Sequence, residues 1–347
     1  TINSKKFDFN FKTKIDLLAS PQTLLPALQS ILKSLYLKTK ADLPEQLSKV
    51  NFSDEHDKFA DDLIASENGV IVLGEHLNSN SSSSVIISTV SQIARISNSK
   101  IANLTLSGNA HSAEKVGFIP TNQGMNAGSM LTESSKAFLL MDVDSEYDFY
   151  NPKLAMDLFN KDDVFVVSLT SFENQSTLLS ADVILPMASF YETSGTHINF
   201  DGIAQSFSAS VKSPGDSKPG WKIIKVMADL LELEGFSFVD SSQVAEEALL
   251  SSKVQTQING SIAESFEDSD ITTLWQYAPY AIDNVTRRAK ALQDSNIGKI
   301  NSAYIAKSTA KKLSLSEDDL YLGVPVSISD DVAEDCVFVH TSQARRV

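Results

Sequence analysis

The sequence predicts an α/β protein with a doubly wound, mostly parallel sheet, followed by a small C-terminal α+β or barrel-like piece. Between residues 54 and 235, short apolar runs typical of buried strands alternate with segments in which apolar residues recur at helical spacing. Strands separated by helices pair in parallel through right-handed crossovers. A hydrophobic content of 42% over 347 residues is sufficient for a substantial core.

Two helices are predicted before the first strand. Residues 20–36 place leucine and isoleucine at helical spacing, with Ser20 as the N-cap and Pro21 at the first helical position. Residues 53–66 predict the second helix. The continuous apolar run at 69–77 then suits a strand that is buried on both faces.

The alternation continues toward the middle of the chain. The predicted elements are a helix over 85–97, strands over 100–107 and 137–144, a short helix near 152–160, strands over 163–172 and 181–186, and a helix over 218–235. Ligands of such sheets bind at the carboxyl ends of the strands. Gly74 and the loops over 117–130 and 187–202 are therefore expected to converge there.

The last third of the chain predicts smaller elements, namely helices over 242–250 and 303–313 and strands over 322–328 and 336–341. These features divide the chain into four predicted parts. They are a helical lead-in (1–60), an α/β domain (61–237), an acidic helical connection (238–299) and a barrel-like remnant (300–347).

Composition excludes several classes of function. The formal net charge of −15 repels phosphate backbones and anionic lipids, which argues against nucleic-acid and membrane-surface binding. A single cysteine, Cys336, excludes an intrachain disulfide and a four-cysteine iron–sulfur cluster. Without a long apolar run or a secretory signal, the chain is expected to be soluble and intracellular. Because it begins at Thr1 without methionine, it is expected to be part of a longer protein.

No motif predicts catalysis. The sequence contains no glycine-rich phosphate loop, no metal-binding pair of histidines or cysteines and no G-x-S-x-G nucleophile elbow. The glycines of the segment NQGMNAG (122–128) are better explained by a loop that needs positive φ angles than by a backbone site for phosphate. His76 and His197 are expected near the strand ends as ordinary hydrogen-bonded loop residues, and Cys336 is expected to be a small buried hydrophobe.

One passage resembles a known superfamily. Residues 180–205, SADVILPMASFYETSGTHINFDGIAQ, resemble the molybdopterin oxidoreductase superfamily, in which a strand ends in Leu-Pro and is followed by a Glu, a Gly-Thr and an Asn-x-[Glu/Asp]-Gly turn. The matching residues are Leu185, Pro186, Glu192, Gly195, Thr196, Asn199, Asp201 and Gly202. The resemblance implies a fold like that of formate dehydrogenase and DMSO reductase.

A second passage narrows the resemblance. YAIDNVTRRAKALQ (280–293) is similar to the Arg-Arg-Ala-x-x-Leu-Gln segment in the large iron–sulfur subunit of bacterial NADH:quinone oxidoreductase, respiratory complex I. The resemblance covers about residues 60–300. It implies a non-catalytic, structural part of the peripheral arm, with iron–sulfur clusters in an N-terminal half that precedes this chain and no cofactor in the chain itself.

The resemblance also implies partners, location and site residues. The partners would be the other peripheral-arm subunits, on the cytoplasmic face of the bacterial inner membrane. The candidates for a vestigial cofactor-site loop are Gly74, Asn126, Glu192, Thr196 and Asn199. The chain departs from the superfamily in having Ile203-Ala204 where an arginine often follows the turn, and in its short C-terminal region.

Two alternatives remain at this stage. The chain could be a fragment of an active molybdenum–pterin oxidoreductase, of the formate dehydrogenase or nitrate reductase type, with a pterin dinucleotide held by the loops over 74–80, 122–130 and 192–202. It could instead be a free-standing nucleotide-binding module, although it lacks the glycine fingerprints of that class.

Overall fold

The computed structural model describes residues 1–77, 82–105, 107–120, 124–133, 135–149, 151–250 and 271–341. Parts of the predicted loops over 74–80 and 117–130, and the connection over 251–270, lie outside the described residues. The helices are α1 (Pro21–Thr39), α2 (Asp54–Ala65), α3 (Ser83–Ile96), α4 (Ala110–Lys115), α5 (Ala127–Thr132), α6 (Pro152–Phe159), α7 (Gln175–Ser180), α8 (Gly220–Leu230), α9 (Ser241–Leu250), α10 (Pro279–Ile282), α11 (Lys290–Gln293) and α12 (Lys307–Leu313). The strands are β1 (Ile2–Asn3), β2 (Leu17–Leu18), β3 (Val70–Leu73), β4 (Lys100–Asn103), β5 (Ala137–Met141), β6 (Phe165–Thr170), β7 (Val183–Pro186), β8 (Gly195–Ile198), β9 (Ala204–Phe207), β10 (Thr272–Tyr277), β11 (Asn301–Ile305), β12 (Leu320–Tyr321), β13 (Val324–Ile328) and β14 (Cys336–Thr341).

The described residues form two compact units that are interleaved along the chain. The first unit contains residues 1–105, 271–278 and 294–341, and the second contains residues 107–250 and 279–293. The domain boundaries predicted near residues 60, 237 and 299 stay predictions.

The helical core of the first unit is built around α1. The Ser20 side chain accepts a hydrogen bond from the Thr23 backbone N–H, and Lys40 ends the helix in a left-handed conformation. α1 packs against α2 and α3, and its fully buried Leu32 and Leu35 lie in the core that these helices share. The parallel pair β3–β4, with Val70 opposite Lys100, adds Ile71 and Leu73 to the same core.

The first unit also contains a five-stranded mixed sheet in the order β10-β14-β11-β13-β12. The predicted helix over 303–313 is wrong at its start, because residues 301–305 form β11 and α12 begins at Lys307. β11 pairs with both β13 and β14, so burial of Ala303 and Ile305 between two strands outweighs the helical spacing. The prediction of a helical connection over 238–299 likewise missed β10, which pairs in parallel with β14.

The second unit is built on the parallel sheet β5-β6-β7. In its register Leu140 lies opposite Ser168, and Ser168 lies opposite Ile184. Leu140 and Val166 pack with residues of α6, including Leu158, in the core of this unit. The α/β class with parallel strand pairs is thus confirmed. The loop predicted over 187–202 is partly wrong, because it contains β8, which pairs antiparallel with β9 as a hairpin.

The partly buried position of His76 predicts that the stability of the first unit depends on pH. The His76 ring lies 5.3 Å from the Phe338 ring, between centroids, and burial lowers the pKa of His76 below its usual 6.5. Below about pH 6.5 the unfolded chain therefore binds more protons than the folded chain, and the free energy of unfolding falls as the pH falls. His340 contributes with the same sign, since burial lowers its pKa as well.

We expect the slope from His76 alone to reach at most about 1.4 kcal/mol per pH unit. The measurement is urea unfolding of the native chain and of His76→Gln between about pH 5 and pH 7. The variant should show the shallower dependence on pH. An identical slope in both proteins would contradict the assignment.

Candidate functional site

Strand β7, at the start of the superfamily-like passage over 180–205, ends at Pro186, which has no backbone N–H to donate. Pro186 is the last residue of β7 and lies opposite Thr170 of β6. Beyond it, the Met187 N–H donates to the Thr170 carbonyl at 2.9 Å, and the Ala188 N–H donates to the Lys218 carbonyl at 2.8 Å. The chain therefore leaves the sheet while still held by backbone hydrogen bonds.

Glu192 serves a local structural purpose. It ends a 3₁₀ turn that begins after Ser189, and one of its carboxylate oxygens accepts a hydrogen bond from the Ser189 N–H at 2.9 Å. The Ser189 side chain in turn faces the backbone N–H of Glu192, so the two residues form a capping box. The carboxylate is engaged in fixing the turn.

Asn199 and Gly202 build the turn of the β8–β9 hairpin. The Asn199 side-chain oxygen accepts hydrogen bonds from the N–H groups of Asp201 and Ile203, both at 3.0 Å. Gly202 has a φ of +80°, a conformation that side-chain-bearing residues rarely adopt. The Asn-x-Asp-Gly pattern is thus explained by turn geometry.

Gly195 and Thr196 belong to the strand that follows. A Cβ atom at Gly195 would come within 2.8 Å of the Phe207 ring, so a larger residue there would require that ring to move. The Thr196 and Ser206 hydroxyls are hydrogen-bonded across the hairpin at 2.9 Å. His197 is an exposed residue of β8, rather than of a loop, and its ring centroid lies 5.1 Å from that of Phe207.

The two remaining candidates lie elsewhere. Asn126 is the N-cap of α5, and its side-chain oxygen accepts a hydrogen bond from the Ser129 N–H at 2.9 Å. Gly74 belongs to the first unit and has open space where a Cβ atom would be. The structure therefore places Glu192 in a 3₁₀ turn, Thr196 in β8 and Asn199 in the hairpin turn that follows, while Asn126 caps a separate helix of the same unit.

A charged cluster at the carboxyl ends of β5 and β6 was not predicted from the sequence. The Arg287 guanidinium binds both carboxylate oxygens of Asp148, at 2.8 and 3.1 Å. Arg288 pairs with Asp144 at 3.2 Å, and the Asn284 amide donates to the Asp142 carboxylate at 2.9 Å. We call these six residues the strand-end cluster.

The cluster has a buried part, Asp144 and Asn284, whereas Asp142 and Asp148 are exposed. The Asp144 side chain is 2% exposed and also accepts a hydrogen bond from the Ser176 hydroxyl at 2.9 Å. The Arg288 guanidinium lies 4.6 Å from the centre of the Phe172 ring. Desolvation of its carboxyl group raises the pKa of Asp142, and the hydrogen bond from Asn284 opposes that shift. Within the described residues, Nε and Nη1 of Arg287 have no hydrogen-bond acceptor.

The sequence contains one signal for this cluster. The run MDVDSEYD places aspartates directly after β5, at the edge where ligands of α/β sheets bind, and the Arg-Arg pair is part of the complex I-like segment. Because these two segments are separated by about 140 positions, local patterns cannot reveal that they meet.

The described strand-end cluster does not suit a phosphate-bearing pterin dinucleotide, because its three aspartates outnumber its two arginines and repel phosphate. Both arginines pair with an aspartate, although Nε and Nη1 of Arg287 keep donor capacity among the described residues. Asn126, Glu192 and Asn199 use their side-chain oxygens in caps and turns. Among the described residues, no group of three histidine, cysteine or acidic side chains could hold a metal ion.

In the part of the chain that the structure describes, no helix is both long enough and apolar enough to cross a membrane.

Comparison with known proteins agrees with both resemblances. Residues 12–230 match the molybdopterin oxidoreductase family. Over 94 residues the chain is 33% identical to F420-dependent formate dehydrogenase 1 subunit alpha of Methanococcus maripaludis, covering 27% of this chain and 13% of that protein. Over 51 residues it is 41% identical to the mitochondrial NADH-ubiquinone oxidoreductase 78 kDa subunit of Candida albicans, covering 15% of this chain and 7% of that protein.

A further match is to the NADH-ubiquinone oxidoreductase 75 kDa subunit of Reclinomonas americana, with 35% identity over 51 residues, 15% of this chain and 7% of that subunit. Acetylene hydratase from Pelobacter acetylenicus aligns in structure with a TM-score of 0.41 and 16% identity, over 62% of this chain and 38% of that one. The matched segments span only 7 to 13% of the curated relatives. The family match covers more than half of the sequence, and the chain belongs to the molybdopterin oxidoreductase family.

Proposed function

We propose that this chain is a structural, non-catalytic part of the peripheral arm of a NADH:quinone oxidoreductase. In this role it supports electron transfer from NADH to quinone by iron–sulfur clusters held elsewhere in the subunit and the complex. The observation that carries the proposal is the strand-end cluster, in which the chain's own Arg287 and Arg288 fill the edge where a ligand of the sheet would bind.

The matches to the 75 and 78 kDa subunits support the choice of complex. The clusters belong to an N-terminal half of the subunit that precedes this sequence, and this chain binds no cofactor. Its partners are the other peripheral-arm subunits, including the NADH-binding flavoprotein. The assembly lies on the cytoplasmic face of the bacterial inner membrane.

A second candidate is a fragment of an active molybdenum–pterin oxidoreductase. The observation in its favour is the match to formate dehydrogenase alpha subunits, which extends over 94 residues. Against it stand the paired arginines at the strand ends and the engaged side chains of Asn126, Glu192 and Asn199.

The two candidates differ in metal content. The chain should be purified from cells that make the molybdenum cofactor, with a known molybdoenzyme produced in the same cells as the positive control. We expect molybdenum, tungsten and pterin fluorescence far below one equivalent per chain, with one equivalent in the control. Stoichiometric metal and pterin in the chain would overturn the structural role.

A second experiment addresses the complex. The subunit that contains this chain should be affinity-tagged in its host and purified from detergent-solubilised membranes. We expect it to co-purify with a flavin-containing subunit and with NADH:quinone reductase activity. Recovery of the tagged subunit without either would contradict membership of the complex, whatever the outcome of the metal analysis.

A further inference from the structure

A pocket of about 290 Å³ lies within the second unit. Its walls come from α4, β8, the first turn of α8, and α9. Its volume is just below the range of about 300–1,000 Å³ that is usual for small-molecule sites, which suits a small ligand. The strand-end cluster and its aspartates are not among the described residues that line it.

The described lining is mostly apolar and carries no charged side chain. Val116, Ile198 and Val244 contribute aliphatic surface, and Trp221 and Phe118 contribute aromatic rings. None of the described lining residues is a lysine, arginine, aspartate or glutamate. A charged ligand would lose its hydration without gaining an ionic partner, so the pocket favours an uncharged one.

Two polar groups in the wall lack an acceptor. Ser112 is 8% exposed, and its hydroxyl oxygen accepts a hydrogen bond from the Ile198 N–H at 2.7 Å. No acceptor for the Ser112 O–H is found among the described residues. The indole nitrogen of Trp221 is buried and also has no acceptor in the described part of the chain.

The other hydroxyls of the wall are already paired. Ser194 is hydrogen-bonded to Ser241 at 2.7 Å, and Thr196 to Ser206 at 2.9 Å. Among the described buried groups of the wall, the indole N–H of Trp221 and the O–H of Ser112 therefore remain as donors without an acceptor. Buried donors without partners are costly, and an acceptor brought by a ligand would remove that cost.

We propose that this pocket binds a small, uncharged aromatic molecule that carries a carbonyl or amide oxygen. The aromatic ring packs against Trp221 and the aliphatic wall, and the oxygen accepts a hydrogen bond from a donor in the wall. Such binding is independent of the proposed function, because it uses neither the strand-end cluster nor a partner subunit.

Tryptophan fluorescence can report binding directly. The chain has two tryptophans, and Trp275 lies on β10 in the first unit. In a Trp275→Phe variant all tryptophan emission comes from Trp221, in the pocket wall. Benzamide, toluene and benzoate serve as probes, because the first has a ring and an oxygen acceptor, the second has only the ring, and the third adds a negative charge.

We expect benzamide to change the Trp221 emission saturably and to bind about threefold to tenfold more tightly than toluene, as one hydrogen bond would provide. Benzoate should bind more weakly than either. Equal affinity for benzamide and toluene, tighter binding of benzoate, or no saturable change with benzamide would each overturn the proposal.

A matched pair of variants in the same background locates the binding. Ala248→Phe places a large side chain at a pocket-lining position of α9, and Glu247→Phe introduces the same side chain at the neighbouring position, which does not line the pocket. Thermal unfolding checks that both remain folded. We expect Ala248→Phe to abolish the benzamide response and Glu247→Phe to retain it. An unchanged response in a folded Ala248→Phe protein would contradict binding at this pocket.

Discussion

Replacing Arg288 with alanine is expected to lower the free energy of unfolding of the second unit by about 3 kcal/mol. The Arg288 guanidinium is the cationic partner of Asp144, whose side chain is 2% exposed. Removing it leaves a buried carboxylate whose remaining donors, among the described residues, are the Ser176 hydroxyl and the Glu146 N–H. The variant also loses the packing of the guanidinium against Phe172.

The measurement is denaturant unfolding of the native chain and the variant, followed by far-ultraviolet circular dichroism. The matched control is Lys153→Ala, which removes the cation of an exposed pair with Asp157 on α6 of the same unit. That pair is solvated, so its loss should cost less than about 1 kcal/mol. Equal effects of the two substitutions would show that burial of Asp144 does not strengthen its dependence on Arg288.

A double-mutant cycle separates the ion pair from the packing. Asp144→Asn removes the negative charge while keeping the shape of the side chain. If the pair is responsible, Arg288→Ala should cost much less in the Asp144→Asn background than in the native chain. An undiminished cost would assign the stabilisation to the contact between Arg288 and Phe172.

Local patterns in the sequence located the longer helices, whereas the short helices α4, α5, α7, α10 and α11 were missed. α3 and α8 were found from apolar residues at helical spacing, and in α1 this spacing coincides with the N-cap Ser20 and with Pro21. β14 was found with its exact bounds, since a continuous apolar run marks a buried strand. β11 was missed because its strand character arises from pairing on both edges, which the local sequence does not record.

The candidate site shows the same difference between features set by neighbouring residues and features set by contacts between distant segments. The Asn-x-Asp-Gly pattern after β7 correctly predicted a turn, which Asn199 and Gly202 form. The strand-end cluster could not be inferred, because Arg288 and Asp144 meet only after the chain has folded. Turn-forming residues act over two to four positions and are visible in a sequence, whereas buried ion pairs between distant segments are not.

Replacing Phe338 with alanine is expected to have the largest effect in the first unit, a loss of about 3–5 kcal/mol in the free energy of unfolding. Phe338 is 1% exposed and contacts the rings of Phe7 and His76, with centroids 5.9 and 5.3 Å away. The Lys5 ammonium lies 5.9 Å from the centre of the same ring. Removing the ring leaves a cavity where these side chains meet.

The matched control is Phe11→Ala, the same chemical change at a side chain of the first unit that is 64% exposed, where we expect a loss below about 1 kcal/mol.

Amide hydrogen exchange then tests how far the effect of Phe338→Ala spreads through the first unit. The N-terminal segment is held to the loop before β14 by two backbone hydrogen bonds. The Lys6 N–H donates to the Asp331 carbonyl at 2.7 Å, and the Ala333 N–H donates to the Ser4 carbonyl at 2.8 Å. If Phe338 fastens this segment to the sheet, Phe338→Ala should accelerate exchange of the Lys6 amide more than that of amides in the centre of α1, because local opening precedes global unfolding. Uniform acceleration across the unit would instead mean that the segment and the helical core unfold together.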